Sequence, residues 1–223
     1  MRTFRRAGAI MGLALIMGSG CARAPERPVP APATPADPGG QRVAQADVEL
    51  KVESVAREAD TLAVTYAVHN RTSKAVLLVD GLWDVGFSGH LTLAPERAYV
   101  DLSGGKVVLS RMLLPVPEDL AVEAPEVPAV TRVEPGATAN RRAVVPLPLR
   151  TALPYPTGPE ETRELSAVRE VSLRVGYLPD ADAVTLAQGK DSQGTPVQTP
   201  RYGPAVTAQR VLDSGPLPVT GAK

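Results

Sequence analysis

A single cysteine, Cys21, among 223 residues leaves the chain with no intrachain disulfide and no cysteine-based zinc site. Charge of one sign is also missing, since 24 basic and 24 acidic residues give a formal net charge of zero. Without a basic surplus there is no electrostatic footprint for nucleic acid, which is set aside as a partner. Aromatic residues are scarce, at 4%. Histidine is scarcer, with His69 and His90 the only two; a metal site would need them to meet across a loop, with Asp84 as a third ligand. Two unrelated surface histidines are the simpler expectation, and no metal and no cofactor is assigned. No apolar run is long enough to span a bilayer: the uncharged stretch from Ala7 to Gly20 has fourteen residues, against the ~20 a spanning helix needs.

That stretch is informative in another way. Arg2, Arg5 and Arg6 precede it and small residues end it, which is the layout of a signal peptide over residues 1–20. Met17, Gly18, Ser19, Gly20 and Cys21 follow in order. This segment resembles the lipobox of bacterial lipoprotein precursors, with Gly18 where that family usually carries leucine. The resemblance implies that Cys21 is lipidated and becomes the mature first residue, tying the exported protein to a membrane of the bacterial cell envelope. An ordinary secretory signal with an incidental cysteine is the competing reading. Ala22, in place of the aspartate that often marks inner-membrane retention, favours the outer membrane where the cell has one. Loss of the three arginines would leave 21 basic against 24 acidic residues.

Residues 21–40 carry prolines at 25, 28, 30, 32, 35 and 38. They cannot bury a core and read as a disordered, extended tether. A folded domain is expected over 46–212, with a flexible tail at 213–223. Val48, Leu50 and Val52 alternate with polar neighbours, as do Leu62, Val64, Tyr66 and Val68, which suggests an antiparallel pair turning at Glu58 to Asp60. Ala75 to Val79 suits a strand buried on both sides, with the pattern breaking at Gly81. A hairpin is expected from Arg97 to Leu113 through Gly104 and Gly105, a strand at Ala129 to Val133, and a type II turn at Glu134, Pro135 and Gly136. Ala139 to Arg150 reads as the next strand, whose second half, with Pro146 and Pro148, must lie at a sheet edge or leave the sheet. One short helix is expected over Pro159 to Leu165. Val171, Leu173, Val175 and Tyr177 give the clearest alternation. Ala183 to Ala187 and Ala205 to Leu212 are weaker strands around a polar loop at 188–200. About nine short strands and almost no helical periodicity point to an all-β fold, a single antiparallel β-sandwich of the immunoglobulin-like kind, with a β-barrel as the alternative.

No pattern supplies a catalytic residue. Ser103 and Lys106 have S-x-x-K spacing but fall in an expected hairpin, without the companion motifs. Leu217 to Gly221 reads LPVTG without the apolar tail such a signal requires, and Asn70 to Thr72 more simply serves a turn. The stretch Gly81 to His90 remains, where Trp83, Asp84, Phe87 and His90 sit among three glycines. Aromatic residues on loops of a rigid scaffold are plausible binding anchors, and the alternative is that Trp83 packs in the core. The expected function is a lipid-anchored accessory module that binds an envelope protein, against an enzyme or small-ligand binder with its site at 81–90. A contact module should expose an apolar patch; a ligand site should gather polar groups about a concavity near Trp83.

Overall fold

The computed structural model describes residues 47–87, 89–103, 106–155 and 158–219. The signal-like segment, Cys21 and the proline-rich stretch to Gly40 lie outside these, as do Gly104, Gly105 and residues 220–223. The described chain is all-β, with several sheets, one curled into a half-barrel, and one short helix.

Strands β1 (Val48–Glu58) and β2 (Thr61–Asn70) form the expected antiparallel pair. Their register slips between Val52 and Ser54. The extra residue shifts the phase of the alternation, so that Val55, not Ser54, is buried. The turn puts Ala59 at φ +49°, a region in which a Cβ is disfavoured. Strand β3 (Val76–Val85) is buried without interruption from Val76 to Trp83. Val76 and Leu78 enter one apolar cluster and Leu77 and Val79 another, so both faces are covered. The expected break at Gly81 does not occur. Gly81 lies within the strand, where a Cβ would stand 2.7 Å from Ala129 Cβ and 2.8 Å from Leu93 Cδ1. It is a glycine of close approach, not a strand breaker.

Strand β4 (Leu91–Ala94) folds back on β3, and β5 (Tyr99–Asp101) pairs with β6 (Val107–Arg111) in the expected hairpin. Strand β7 (Ala129–Val133) matches its expected bounds. After it the chain turns with Gly136 at φ +73° and the Ala137 N–H donating to the Glu134 carbonyl. Strand β8 (Thr138–Pro146) pairs with β2 along one side, as an edge strand ending in proline should.

The expected helix at Pro159 to Leu165 is not formed. Residues of β10 (Thr162–Arg163) pair with β9 (Leu149–Arg150), and a single 3-10 turn, Leu165–Ala167, follows. Proline and acidic residues gave a helix start there, but no apolar face of helical period lay behind it. Strand β11 (Glu170–Leu178) is the clear alternating strand. The polar loop expected at 188–200 is largely a hairpin of β12 (Leu186–Lys190) and β13 (Pro196–Pro200). The weak strand at Ala205 to Leu212 is divided between helix α1 (Tyr202–Ala208) and β14 (Arg210–Pro218). Strand β14 carries the ladder with β11 to Pro218, through residues expected to be a tail.

Three strands in the order β1-β2-β8 form one sheet, and seven strands centred on β3 and β11 form another. Strand β14 runs along one edge of β11, and β6 and β3 share the other. The β6–β11 pair is parallel, which corrects the expectation of a purely antiparallel arrangement. Inward residues of both sheets, among them Leu62, Val64, Val68, Leu78, Leu109, Leu173 and Val175, meet in one core.

Asp47 accepts a hydrogen bond from the Arg71 N–H, and Asn70 pairs with the backbone of the 134–137 turn. The described chain therefore begins at the same end as the 70–74 loop, from which β3 departs. Asn70 is buried there and donates to the carbonyls of Lys74 and Val133 while its Oδ1 accepts from Thr72. At ~3.3 Å per residue, β3 ends some 30 Å from that end.

Candidate functional site

The structure divides the four residues singled out at 81–90. Trp83 is packed, with its indole N–H donating to the Val127 carbonyl at 2.8 Å. It joins Ala129, Val197 and Leu93 in a cluster of its own, apart from the core between the sheets. Asp84 is exposed and pairs with Arg97 at 2.9 Å. Phe87 is fully exposed at the β3–β4 tip, with Val85 and Leu91 also exposed and opposite one another in the ladder. His90 lies at the same tip and closes it through its carbonyl, which accepts from the Gly86 N–H. His69 is at the other end of the strands, bonded to Thr138 Oγ1 at 2.9 Å. The two histidines are not brought together, and among the described residues no group of three His, Cys, Asp or Glu side chains could hold a metal ion.

A second set of residues, which sequence reasoning missed, lies in the core itself. The inward positions of β3 read Val76, Leu78, Asp80; those of β6 read Val107, Leu109, Arg111; those of β8 read Ala139, Arg141, Ala143, Val145. Three strands thus interrupt their apolar series with a charge at the same level, beside Tyr66 of β2. Asp80 is the unpaired residue of a bulge against β7, a device that re-aims a side chain. Arg111 is completely buried, at 0% exposure. It donates to Tyr66 Oη at 3.0 Å and to the Arg142 carbonyl at 3.0 Å, and also to the carbonyls of Asp80 and Pro95. These acceptors belong to both sheets. Its Nε has no partner among the described residues.

Asp80, at 5% exposure, accepts from Thr131 Oγ1 at 2.9 Å and from Arg141 Nε at 2.5 Å. Arg141 Nη1 donates to the Asn140 carbonyl at 2.9 Å. Burial pushes the Tyr66 hydroxyl above its ordinary pKa, against the pull of the Arg111 guanidinium. Tyr66 therefore stays neutral, and the layer holds two guanidinium groups against one carboxylate.

Above this layer the space between the sheets opens into a cleft of about 790 Å³. Its lining includes the polar residues Asp80, Asn140, Arg141 and Arg142 and the apolar residues Leu93, Pro95, Ala129 and Val197. The β12–β13 hairpin forms an outer wall and is clasped to β4. Asp191 accepts from the backbone N–H groups of Leu93 at 3.1 Å, Gln193 at 2.9 Å and Thr195 at 2.8 Å, which hold its carboxyl below the usual range.

Compared with family models, curated proteins and solved structures, the chain matches none.

The cleft's carboxylates are engaged in ion pairs, Asp80 with Arg141 Nε and Glu96 with Arg142. Ser103 and Lys106 stand at the β5–β6 turn, not on one face of a helix. Three tyrosines act elsewhere, pinning the long connection between β6 and β7. Tyr99 Oη donates to Glu126 Oε1 at 2.7 Å, Tyr155 Oη accepts from the Glu126 N–H at 2.6 Å, and Tyr202 Oη bridges Leu114 and Val116. Burial, with the bond to Glu126, drives the Tyr99 hydroxyl far above its ordinary range.

Proposed function

We propose that the protein is a lipid-anchored module of the bacterial cell envelope, an immunoglobulin-like β-sandwich that binds an envelope protein through the β3–β4 tip. The lipobox resemblance at Met17 to Cys21 supports the anchor, and Ala22 supports an outer-membrane address where one exists. The single core shared by the three-stranded and seven-stranded sheets supports the sandwich. The observation that carries the contact reading is the full exposure of Phe87 between Val85 and Leu91. A large apolar side chain in water forfeits the ~2–3 kcal/mol that burial would contribute.

This exposure is not fraying, because the hairpin is braced on both sides. Arg97 donates to the Trp83 carbonyl and to Asp84, the Ser192 N–H donates to the Leu91 carbonyl at 2.9 Å, and Thr92 and Ser192 share a hydrogen bond of 2.7 Å. A braced aromatic tip loses little ordering entropy on binding. It also stands at the far end of β3 from Asp47.

A photoreactive phenylalanine analogue at position 87, in the intact protein in its own cells, tests the reading. One dominant protein adduct is expected, lost on Leu91→Asp and absent when the probe is placed at Glu53. Adducts to lipid alone, or none at all, would refute it.

A further inference from the structure

We infer that the cleft above the Asp80–Arg111–Arg141 layer is a binding site for an amphipathic monocarboxylate, independent of the contact made by the tip. Three observations carry this. The first is a charge imbalance. Two guanidinium groups face one carboxylate in a layer where Tyr66 is neutral and Arg111 and Asp80 are removed from water. The other charged groups lining the cleft are paired, Glu96 with Arg142 at 3.4 Å, Arg142 also with Glu58, and Arg132 with Glu134 and Asp182. Within the layer the excess is a single positive charge, which a single negative charge would balance. Of the two guanidinium groups only Arg141 lines the cleft, and its Nη2 makes no bond among the described residues, its Nε and Nη1 being the engaged atoms.

The second observation is orientation. A buried carboxylate is costly to keep, and that of Asp80 holds the Nε edge of Arg141 at 2.5 Å, while the Asn140 carbonyl holds Nη1. Arg141 remains one-quarter exposed and lines the cleft. A guanidinium fixed in plane with a free amino group is a receptor for a planar carboxylate, because its fork is ordered before the ligand arrives. The third is the rest of the lining. Leu93, Pro95, Ala129 and Val197 give the same cleft apolar surface, so the ligand carries an apolar body behind its acid group. Such an acid could be lipid-like or could be the end of a peptide; the shared chemistry is the carboxylate with its apolar neighbour.

The full chain carrying Cys21→Ser, which removes the anchor without touching the cleft, is titrated calorimetrically with two pairs of probes. Decanoate is compared with decanol, and N-acetyl-leucine with N-acetyl-leucinamide. At least one acid is expected to bind about tenfold or more tighter than its neutral counterpart, the ratio lost with one charge-assisted hydrogen bond. Preference for decanoate would mark a lipid-like source and preference for N-acetyl-leucine a peptide terminus, each supporting the site. Arg141→Gln should abolish the preference. Because that change also leaves Asp80 without its ion pair, Gln198→Trp provides a second variant, filling the cleft from the hairpin wall while leaving the charged layer intact; it should abolish binding of both acids. Equal affinity for acid and neutral probe, no binding of either acid, or binding unaffected by Gln198→Trp would overturn the inference. None of these outcomes bears on the photo-adduct at position 87.

Discussion

Arg111 joins Tyr66 of β2, the Arg142 carbonyl of β8, the Asp80 carbonyl of β3 and the Pro95 carbonyl with one planar group. A lysine carries the same charge but ends in a single ammonium, which cannot span acceptors on two sheets. Arg111→Lys is therefore expected to lower the unfolding free energy by about 2 kcal/mol or more, since buried carbonyls lose their donors; urea denaturation at neutral pH would measure it. The opposite sign is expected at Ala59. Its φ of +49° suits glycine, and Ala59→Gly should stabilise the fold by ~0.5–1 kcal/mol, the relief of left-handed strain less the added entropy of the unfolded chain. Most of the core was legible at this scale, because Leu62, Val64, Tyr66 and Val68 obey a period of two. The charged layer was not. Asp80, Arg111 and Arg141 occupy inward positions of three separate strands, and reading each strand alone treats every charge as the end of a pattern. Laying the expected strands side by side and asking where inward positions carry charge would have found them.

Among the elements, the β12–β13 hairpin is the one whose attachment depends on a titrating group. Three backbone N–H groups, that of Leu93 foremost, depress the Asp191 carboxyl. A depressed folded pKa contributes stability that is complete above the unfolded value, about 3.9, and is lost as pH falls through the folded value. The clasp onto β4 is thus expected to hold at neutral pH and to loosen in acid below about pH 4. Hydrogen exchange at the amides of Leu93, Gln193 and Thr195 should quicken there relative to the β11 amides, and Asp191→Asn should give the quick exchange already at neutral pH. Unchanged protection of all three amides in that variant would refute the role. The hairpin itself escaped sequence reading because Gln188, Gly189 and Lys190 lack alternation: β12 is exposed on nearly every residue and is held by its ladder and by Asp191. The same cause hid β10, whose two residues pair with β9 without any apolar face. Strand β14 was concealed by its prolines and by Gly215, and its place is set by the central strand beside it.

At the scale of the whole molecule, the proposed attachment through Cys21 makes one expectation that fractionation can check. Wild-type protein should sediment with membranes, and Cys21→Ser should move to the soluble fraction while keeping its fold. Continued sedimentation of the variant would remove the lipid anchor from the proposal. The strands were legible from alternation and the tip from its aromatic and glycine content, while the expected address and tether rest on residues 1–40, which lie outside the described residues. How the two sheets meet was beyond reach because it depends on pairings between distant residues, such as Val171 with Val107. The polarity of the domain adds a mechanical consequence. With Asp47 at one end and Phe87 some 30 Å away along β3, the proposed partner at the tip, acting against the proposed anchor, would put the domain under tension. That tension pulls β1 along its own axis, loading its ladder with β2 in shear, so the hydrogen bonds from Val48 to Glu58 resist together instead of unzipping one by one. The two sheets would also be drawn past each other, and Arg111, bonded to both, is the rivet that opposes their sliding.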